Sequence, residues 1–172
     1  MTRRYEHYSA GVLPYSIDSG GNVVFLLGQD NNSEWSDFGG RSETRDEGSY
    51  PTTACREFYE ETLGAVKSME EMKRMSKKGT VVVSKTLGNM PYYMYIVFVP
   101  YSDYKKFFNK TYNYLKFTNQ RYIEKRDIRW ISKDTLLSTV TEPTTRDVLI
   151  GLRPIFRQTL ERHIKEIRDA TS

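Results

Sequence analysis

Apolar and polar positions alternate weakly from Tyr8 to Ile17, and the alternation stops at Asp18-Ser19-Gly20-Gly21, a run suited to a hairpin turn. Val23 to Leu27 is a short apolar run of strand type, and Trp35-Ser36-Asp37-Phe38 leads as strand into Gly39 and Gly40. From Ser49 onward the spacing is helical: Ser49 or Tyr50 with Pro51 opens the helix, Ala54 and Phe58 face the core, and Gly64 suits the left-handed C′ position. Met69 to Met75 predicts a short helix. Thr80 to Ser84 and Tyr92 to Val99 are β-branched and aromatic runs that pair around Gly88-Asn89. Asp103 to Phe117 reads as helix and Asp127 to Ile131 as strand. Thr144 to Ala170 reads as a long helix with Leu149, Leu152, Ile155, Phe156, Leu160, Ile164 and Ile167 on one side, where Pro154 either kinks it or marks its true start. Strands and helices follow one another without linkers or repeats, which predicts a single α/β domain over residues 1–172.

Composition narrows the class. No run approaches the roughly 18 apolar residues of a membrane span, and the N-terminal MTRRYEHYS has no apolar core of a secretory signal, so a cytoplasmic protein is expected. One cysteine, Cys55, excludes an internal disulfide framework, and neither His7 nor His163 has metal-ligand spacing to another residue. The net charge is +4 and the pI near 9.0. Lys and Arg concentrate in Lys67 to Lys78, Lys105 to Arg126 and the C-terminal helix. A basic surface of this kind suits a polyanionic substrate, and ordinary solvated helix faces account for the same residues equally well.

Against that basic background stands an acidic segment, Arg56-Glu57-Phe58-Tyr59-Glu60-Glu61. On a helix Glu57, Glu60 and Glu61 lie at i, i+3 and i+4 and share a face. Three carboxylates crowded together repel, unless divalent cations sit between them; hard oxygen donors are what Mg²⁺ and Mn²⁺ prefer. The stretch GGRSETRDEGSYPTTACREFYEETLG resembles the Nudix box, in which Gly, five residues, Glu and seven residues precede Arg-Glu-apolar-any-Glu-Glu-any-Gly. Gly40 serves as the opening glycine, and Arg56 to Glu61 match without adjustment. Fifteen residues separate Gly40 from Arg56 where the pattern has thirteen, so the upstream acid is Asp46 or Glu47, with Glu47 preferred. Two residues, Thr62 and Leu63, stand where one precedes Gly64.

The resemblance implies an α/β/α sandwich with a mixed sheet, and hydrolysis of a diphosphate linked to another group. It also implies Mg²⁺ or Mn²⁺ held by Glu57, Glu60, Glu61 and Glu47. Arg56 is expected to orient a carboxylate and Arg41 to reach a substrate phosphate, while Gly39 and Gly40 permit close backbone approach. A further acid outside the box, as base or accessory ligand, is expected at Glu124, which precedes the strand carrying Trp130; Glu142 is the alternative.

AGVLPYS, VVFLLGQD, WSDFGGRSE and REFYEETLG together resemble Nudix proteins encoded by large DNA viruses of eukaryotes, some of which remove mRNA caps. That likeness implies a capped RNA substrate, released as 7-methyl-GDP and a 5′-monophosphate RNA. Such an enzyme needs aromatic planes for a cationic base and a basic track for the RNA; Trp35, Phe38, Tyr92, Tyr93 and Tyr95 fall near strand ends beside the site, with Trp35, Phe38 and Tyr93 the preferred candidates. The alternatives are a hydrolase of ADP-ribose or dinucleoside polyphosphates, a hydrolase of diphosphoinositol polyphosphates, and a non-catalytic module that binds a nucleotide or RNA.

Overall fold

The computed structural model describes residues 6–142 and 150–172. Its centre is a mixed sheet formed by β1 (Ser9–Ile17), β2 (Val23–Gln29), β3 (Trp35–Ser36), β4 (Phe38–Arg41), β5 (Thr80–Lys85), β6 (Pro91–Phe98) and β7 (Asp127–Ser132). β1 runs parallel to β6 from Ser9 opposite Tyr92 to Tyr15 opposite Phe98. Its other edge is shared: Tyr15 to Ile17 pair with β2, and Ser9 to Val12 pair with β4. β2 likewise pairs with β3 at Gly28 and Gln29. The strands β1 and β2 therefore diverge, and the segment from Trp35 to Arg41 fills the opening with Asp37 at its bend.

Helices cover both faces because the strands alternate. Ala10, Val12, Leu26, Phe38 and Val97 point to one side, where they bury α1 (Tyr50–Glu61), α2 (Met69–Ser76) and α3 (Tyr104–Thr118) through Ala54, Phe58, Met72 and Phe108. Leu13, Phe25, Leu27, Met94 and Ile96 point to the other, against α4 (Lys133–Thr141), α5 (Pro154–Arg162) and α6 (Ile164–Ala170) through Leu136, Phe156, Leu160 and Ile167. This is the expected α/β/α sandwich. No helix among the described residues is long and apolar enough to cross a membrane.

Three expectations need correction. The C-terminal helix does not run unbroken to Ala170. Pro154 is its true start, at the first helical position of α5, and the chain breaks again at His163. Upstream, Leu152 pairs with Trp35: the Trp35 N–H donates to Gly151 O at 2.8 Å and the Arg153 N–H to Trp35 O at 2.9 Å. Those bonds need extended backbone, so the apolar spacing around Leu152 does not make helix; residues 144–149 of the predicted helix lie outside the described residues. The left-handed turn after α1 begins one residue early. Leu63 takes C′ with φ 54° and Gly64 follows at φ 67°, and their N–H groups donate to Glu60 O and Tyr59 O in a Schellman turn. Finally, α4 was not expected. Ser132 caps it by accepting from the Thr135 N–H, and Leu136, Leu137 and Val140 bury its inner face.

Candidate active site

Ser49 opens α1 by accepting from the Thr52 N–H, and Pro51 sits in the first turn where no intrahelical donor is needed. From this helix Arg56 reaches back into the loop that precedes it. Its Nε and Nη2 donate to the two oxygens of Asp46, both at 2.9 Å, and Nη2 also donates to Arg41 O at 3.0 Å. Nη1 donates to Glu57 Oε1 at 2.9 Å and Glu60 Oε2 at 3.2 Å. One planar guanidinium thus ties the loop to the helix and pairs with two carboxylates of the helix. Burial by itself would raise the Asp46 carboxyl, but Arg56, the Glu43 N–H and Thr53 outweigh it and hold it at about 2. Arg56, which burial alone would push down, is kept firmly protonated by Asp46 and Glu57.

The upstream acid is therefore not resolved in favour of Glu47. Asp46 is the buried one, and its oxygens are taken by Arg56, Thr53 and the Glu43 N–H. Glu47 is exposed on a left-handed residue (φ 53°), and among the described residues no hydrogen bond links its side chain to Glu57, Glu60 or Glu61. With one residue deciding between clamp and solvent, spacing alone cannot separate the two.

Glu57 and Glu61 are buried one helical turn apart, against β4. Glu61 Oε1 accepts from the Gly39 N–H at 2.6 Å, and Oε2 lies 3.4 Å from Lys125 Nζ. A Cβ on Gly40 would stand 2.6 Å from the Glu57 carboxylate, so this glycine makes the room that Glu57 occupies. Burial, then repulsion from Glu124 and Glu60, pushes Glu57 up to about 7 in spite of Arg56. Glu61 rises to about 8, mainly by burial and against the pull of Lys125, with Glu124, Glu57 and Asp37 repelling it. Glu60 is more exposed and is paired with Arg45 and Arg56. Among the described residues no three such side chains stand close enough to cage a metal ion as they are. The donor set nevertheless suits one. Two carboxylates whose burial outweighs the pull of Arg56 and Lys125, with Glu60 on the same helix, are hard oxygen donors that a divalent cation would relieve.

Sequence reasoning missed two members of this region, Lys125 and Asp37, and placed Tyr92 only among the aromatics near the strand ends. Lys125 is almost wholly buried, with Nζ donating to Ser36 Oγ at 2.9 Å as well as facing Glu61. Asp37, at the bend between β3 and β4, accepts a hydrogen bond from the Tyr92 hydroxyl. Burial raises Asp37 to about 6, opposed by Tyr92 and by the charges of Lys125 and Arg153, while burial and Asp37 push the Tyr92 hydroxyl well up. Asp37, Tyr92 and Arg153 line a cavity of about 320 Å³ with Gly39, Gly40 and Arg41, whose apolar wall includes Met90 and Phe156. No spacing signal links these residues; the bend at Asp37 and the register of β6 bring them together.

The remaining candidates divide. Glu124 is exposed but close enough for its charge to bear on both Glu57 and Glu61, so the structure brings it to the site. Glu142 lines a separate depression with Lys133, Asp134 and Arg168. Arg41 is exposed beside the cavity. Trp35 and Phe38 are not base platforms. Trp35 is buried in the core with the Arg129 guanidinium 5.1 Å above its ring, and Phe38 packs edge-on against Phe58 beneath α1. Tyr93 is half-buried and already stacked on Tyr50 at 3.9 Å, on the sheet face opposite to Tyr92.

No protein-family model and no curated protein matches this sequence. Solved structures do match its fold. A Nudix hydrolase from M. smegmatis, RenU, superposes with a TM-score of 0.56 at 14% identity, over 98% of this chain and 91% of that one. A C. elegans Ap4A hydrolase gives 0.54 at 13%, over 94% and 98%. A chain from the complex between the C-terminal domain of mouse MUTYH and human PCNA gives 0.54 at 11%, over 96% and 91%. The chain therefore has the Nudix-hydrolase fold, and its chemistry has to be argued from the carboxylates of α1.

Proposed function

We propose that this chain hydrolyses a diphosphate linkage within a nucleotide-containing substrate, using Mg²⁺ or Mn²⁺ held by Glu57, Glu61 and Glu60. The observation that carries the reading is the burial of Glu57 and Glu61 side by side against Gly39 and Gly40, an arrangement costly to a helix with no cation to hold. Such an ion supplies charge neutralisation at the phosphates and a more acidic water. The chain's own groups do the rest. Gly39 and Arg56 fix the directions of Glu61 and Glu57. Arg41 and Arg153, beside the cavity, offer positive charge to phosphate oxygens. Glu124 accepts the proton of the attacking water at its carboxylate, and that water cleaves one P–O bond of the bridge to leave two phosphate-ended products. A non-catalytic binding module would have no use for the whole set of Glu57, Glu60, Glu61 and Glu124.

For the substrate, the preferred reading is capped RNA, cleaved to 7-methyl-GDP and a 5′-monophosphate RNA. Its support is the resemblance of the box region and the lysine-rich stretch from Lys105 to Arg126, which leads into Glu124 and Lys125. With Trp35 and Phe38 in the core, the methylated base would go to the cavity beside Arg41, where Asp37 provides an acceptor and Phe156 part of an apolar wall. A second reading, a dinucleoside polyphosphate, is favoured by the same cavity, whose 320 Å³ suits one nucleoside, and by the fold shared with an Ap4A hydrolase.

The test is product analysis with Mn²⁺ or Mg²⁺ on four substrates: cap-labelled RNA, diadenosine tetraphosphate, ADP-ribose and a diphosphoinositol polyphosphate. Release of 7-methyl-GDP is expected. Faster cleavage of diadenosine tetraphosphate transfers the assignment to the second reading, and no cleavage of any of the four overturns the hydrolase reading itself.

A further inference from the structure

α3 buries Tyr104, Phe108 and Tyr112 against β7 and the surrounding core, so its apolar face is already used. Its outward face is unusual. Phe107, Tyr114 and Phe117 are 56%, 68% and 86% exposed, and with Lys110 they follow one another at i, i+3, i+7 and i+10, a single stripe along the helix. Large exposed rings gathered in one place mark an interaction surface. The helix carries four lysines and no carboxylate within its span. Lys105 is paired with Asp127, while Lys106, Lys110 and Lys116 form no ion pair with a described residue. Just past its end Tyr122, also largely exposed, lies under the Arg121 guanidinium at 5.3 Å. The chain then reaches Glu124 and Lys125, the residues that face Glu61.

We propose that this stripe of α3 binds single-stranded RNA, with bases stacked on Phe107, Tyr114 and Phe117 and phosphates paired with Lys106 and Lys110. Planar rings interleaved with unpaired cations are what a flexible strand needs, since every base has a face to stack and every linkage carries a charge. A second copy of the chain fits poorly: pairing the stripe with itself would set lysine against lysine. A lipid surface fits poorly as well, because a membrane-lying helix keeps its rings and its lysines on separate faces, and here they alternate along one. The direction of the strand rests on the hydrolase reading: the RNA attached to the scissile diphosphate leaves the carboxylates past Glu124 and continues along α3.

The test uses the full chain, in EDTA, and the fluorescence anisotropy of an unstructured 25-nucleotide RNA labelled at its 3′ end. Binding is expected, weakening steeply with salt. Combined F107A, Y114A and F117A should lower affinity at least about tenfold, given the usual contribution of base–ring stacking. Replacing Lys106 and Lys110 by Ala should reduce the salt slope by about 1.4, two phosphates at roughly 0.7 each. All five side chains are exposed, and circular dichroism and the thermal midpoint of each variant check that it remains folded. Unchanged RNA binding in the aromatic variant overturns the proposal. So does a wild type that sediments as a dimer and becomes monomeric in the variant, or one that binds anionic vesicles and not RNA. Glu61→Gln, measured in parallel, separates this proposal from the one on which it rests, because it should bind the RNA as the wild type does while hydrolysing nothing: a wild type that hydrolyses but does not bind the RNA refutes the surface alone, and a wild type that binds the RNA but cleaves none of the four substrates refutes the hydrolase alone.

Discussion

Replacing Arg56 should destabilise the protein more than any other single change on the surface of α1. Its guanidinium is 3% exposed and satisfies both oxygens of Asp46, one oxygen each of Glu57 and Glu60, and the carbonyl of Arg41. Arg56→Met leaves the buried Asp46 and Glu57 without their cation, and breaking a buried pair from one side typically costs about 3–5 kcal/mol. For a chain of this length that corresponds to a fall of roughly 6–20 °C in Tm. Arg56→Lys keeps the charge but not the fork, and should recover only part of the loss. The pH dependence carries a second signature. In the wild type Asp46 is held at about 2 against an ordinary value of 3.8, so its contribution is fully present above pH 3.8 and is lost as pH falls through 2. That difference is worth about 2 kcal/mol at roughly 1.4 kcal/mol per pH unit. Without Arg56, burial raises the Asp46 carboxyl instead, and the variant gains from acidification what the wild type loses. Urea unfolding in EDTA at pH 7 and pH 3 measures both. The gap between wild type and Arg56→Met should be widest at pH 7 and narrow toward pH 3. A loss under about 1 kcal/mol at pH 7, or a gap that does not change with pH, refutes the clamp.

Two further outcomes concern the carboxylates. Glu57→Gln and Glu61→Gln should each lower kcat by orders of magnitude, and in EDTA Glu57→Gln should unfold at a higher temperature than wild type above pH 7. The sign follows from Glu57 being raised from 4.5 to about 7: its contribution is intact below pH 4.5 and is lost as pH rises through 7, whereas Gln never ionises. Thermal scans at pH 5 and 8.5 read this directly, and a variant less stable than wild type at pH 8.5 contradicts it. Glu124→Gln should lower kcat about a hundredfold or more with little change in KM, the mark of a lost general base, while Glu142→Gln stays near normal; the reverse pattern moves the base to Glu142.

How much of this was legible depends on what each residue answers to. The box helix was readable because Ala54 and Phe58 recur at the period that packing against the sheet enforces, and the same period groups the three glutamates. The strands were readable for the same reason. Trp35 and Phe38 were misjudged because nearness to a motif says nothing about the sheet face, and Phe38 falls under α1 rather than beside the substrate. Leu152 was misjudged because its apolar spacing suits a helix while its backbone is claimed by Trp35. Lys125, Asp37 and Tyr92 follow no local rule. They meet only because β1 and β2 separate and the bent segment between them carries Asp37 inward, which is a property of the whole sheet.

The way Arg56 fastens its loop has a consequence for how such a site can diverge. The guanidinium grips the loop at Asp46 and at the Arg41 carbonyl, both within reach of one side chain, and nothing between those points and Ser49 sets the position of Glu57 or Glu61. The stretch between Gly40 and Arg56, two residues longer here than the box pattern, can then vary in length while the clamp from Arg56 to Asp46 and the Arg41 carbonyl is kept. A pattern that counts residues along the chain loses track of such a protein sooner than its geometry changes. Chemistry anchored by one cross-brace can be carried unaltered through sequences that no longer align.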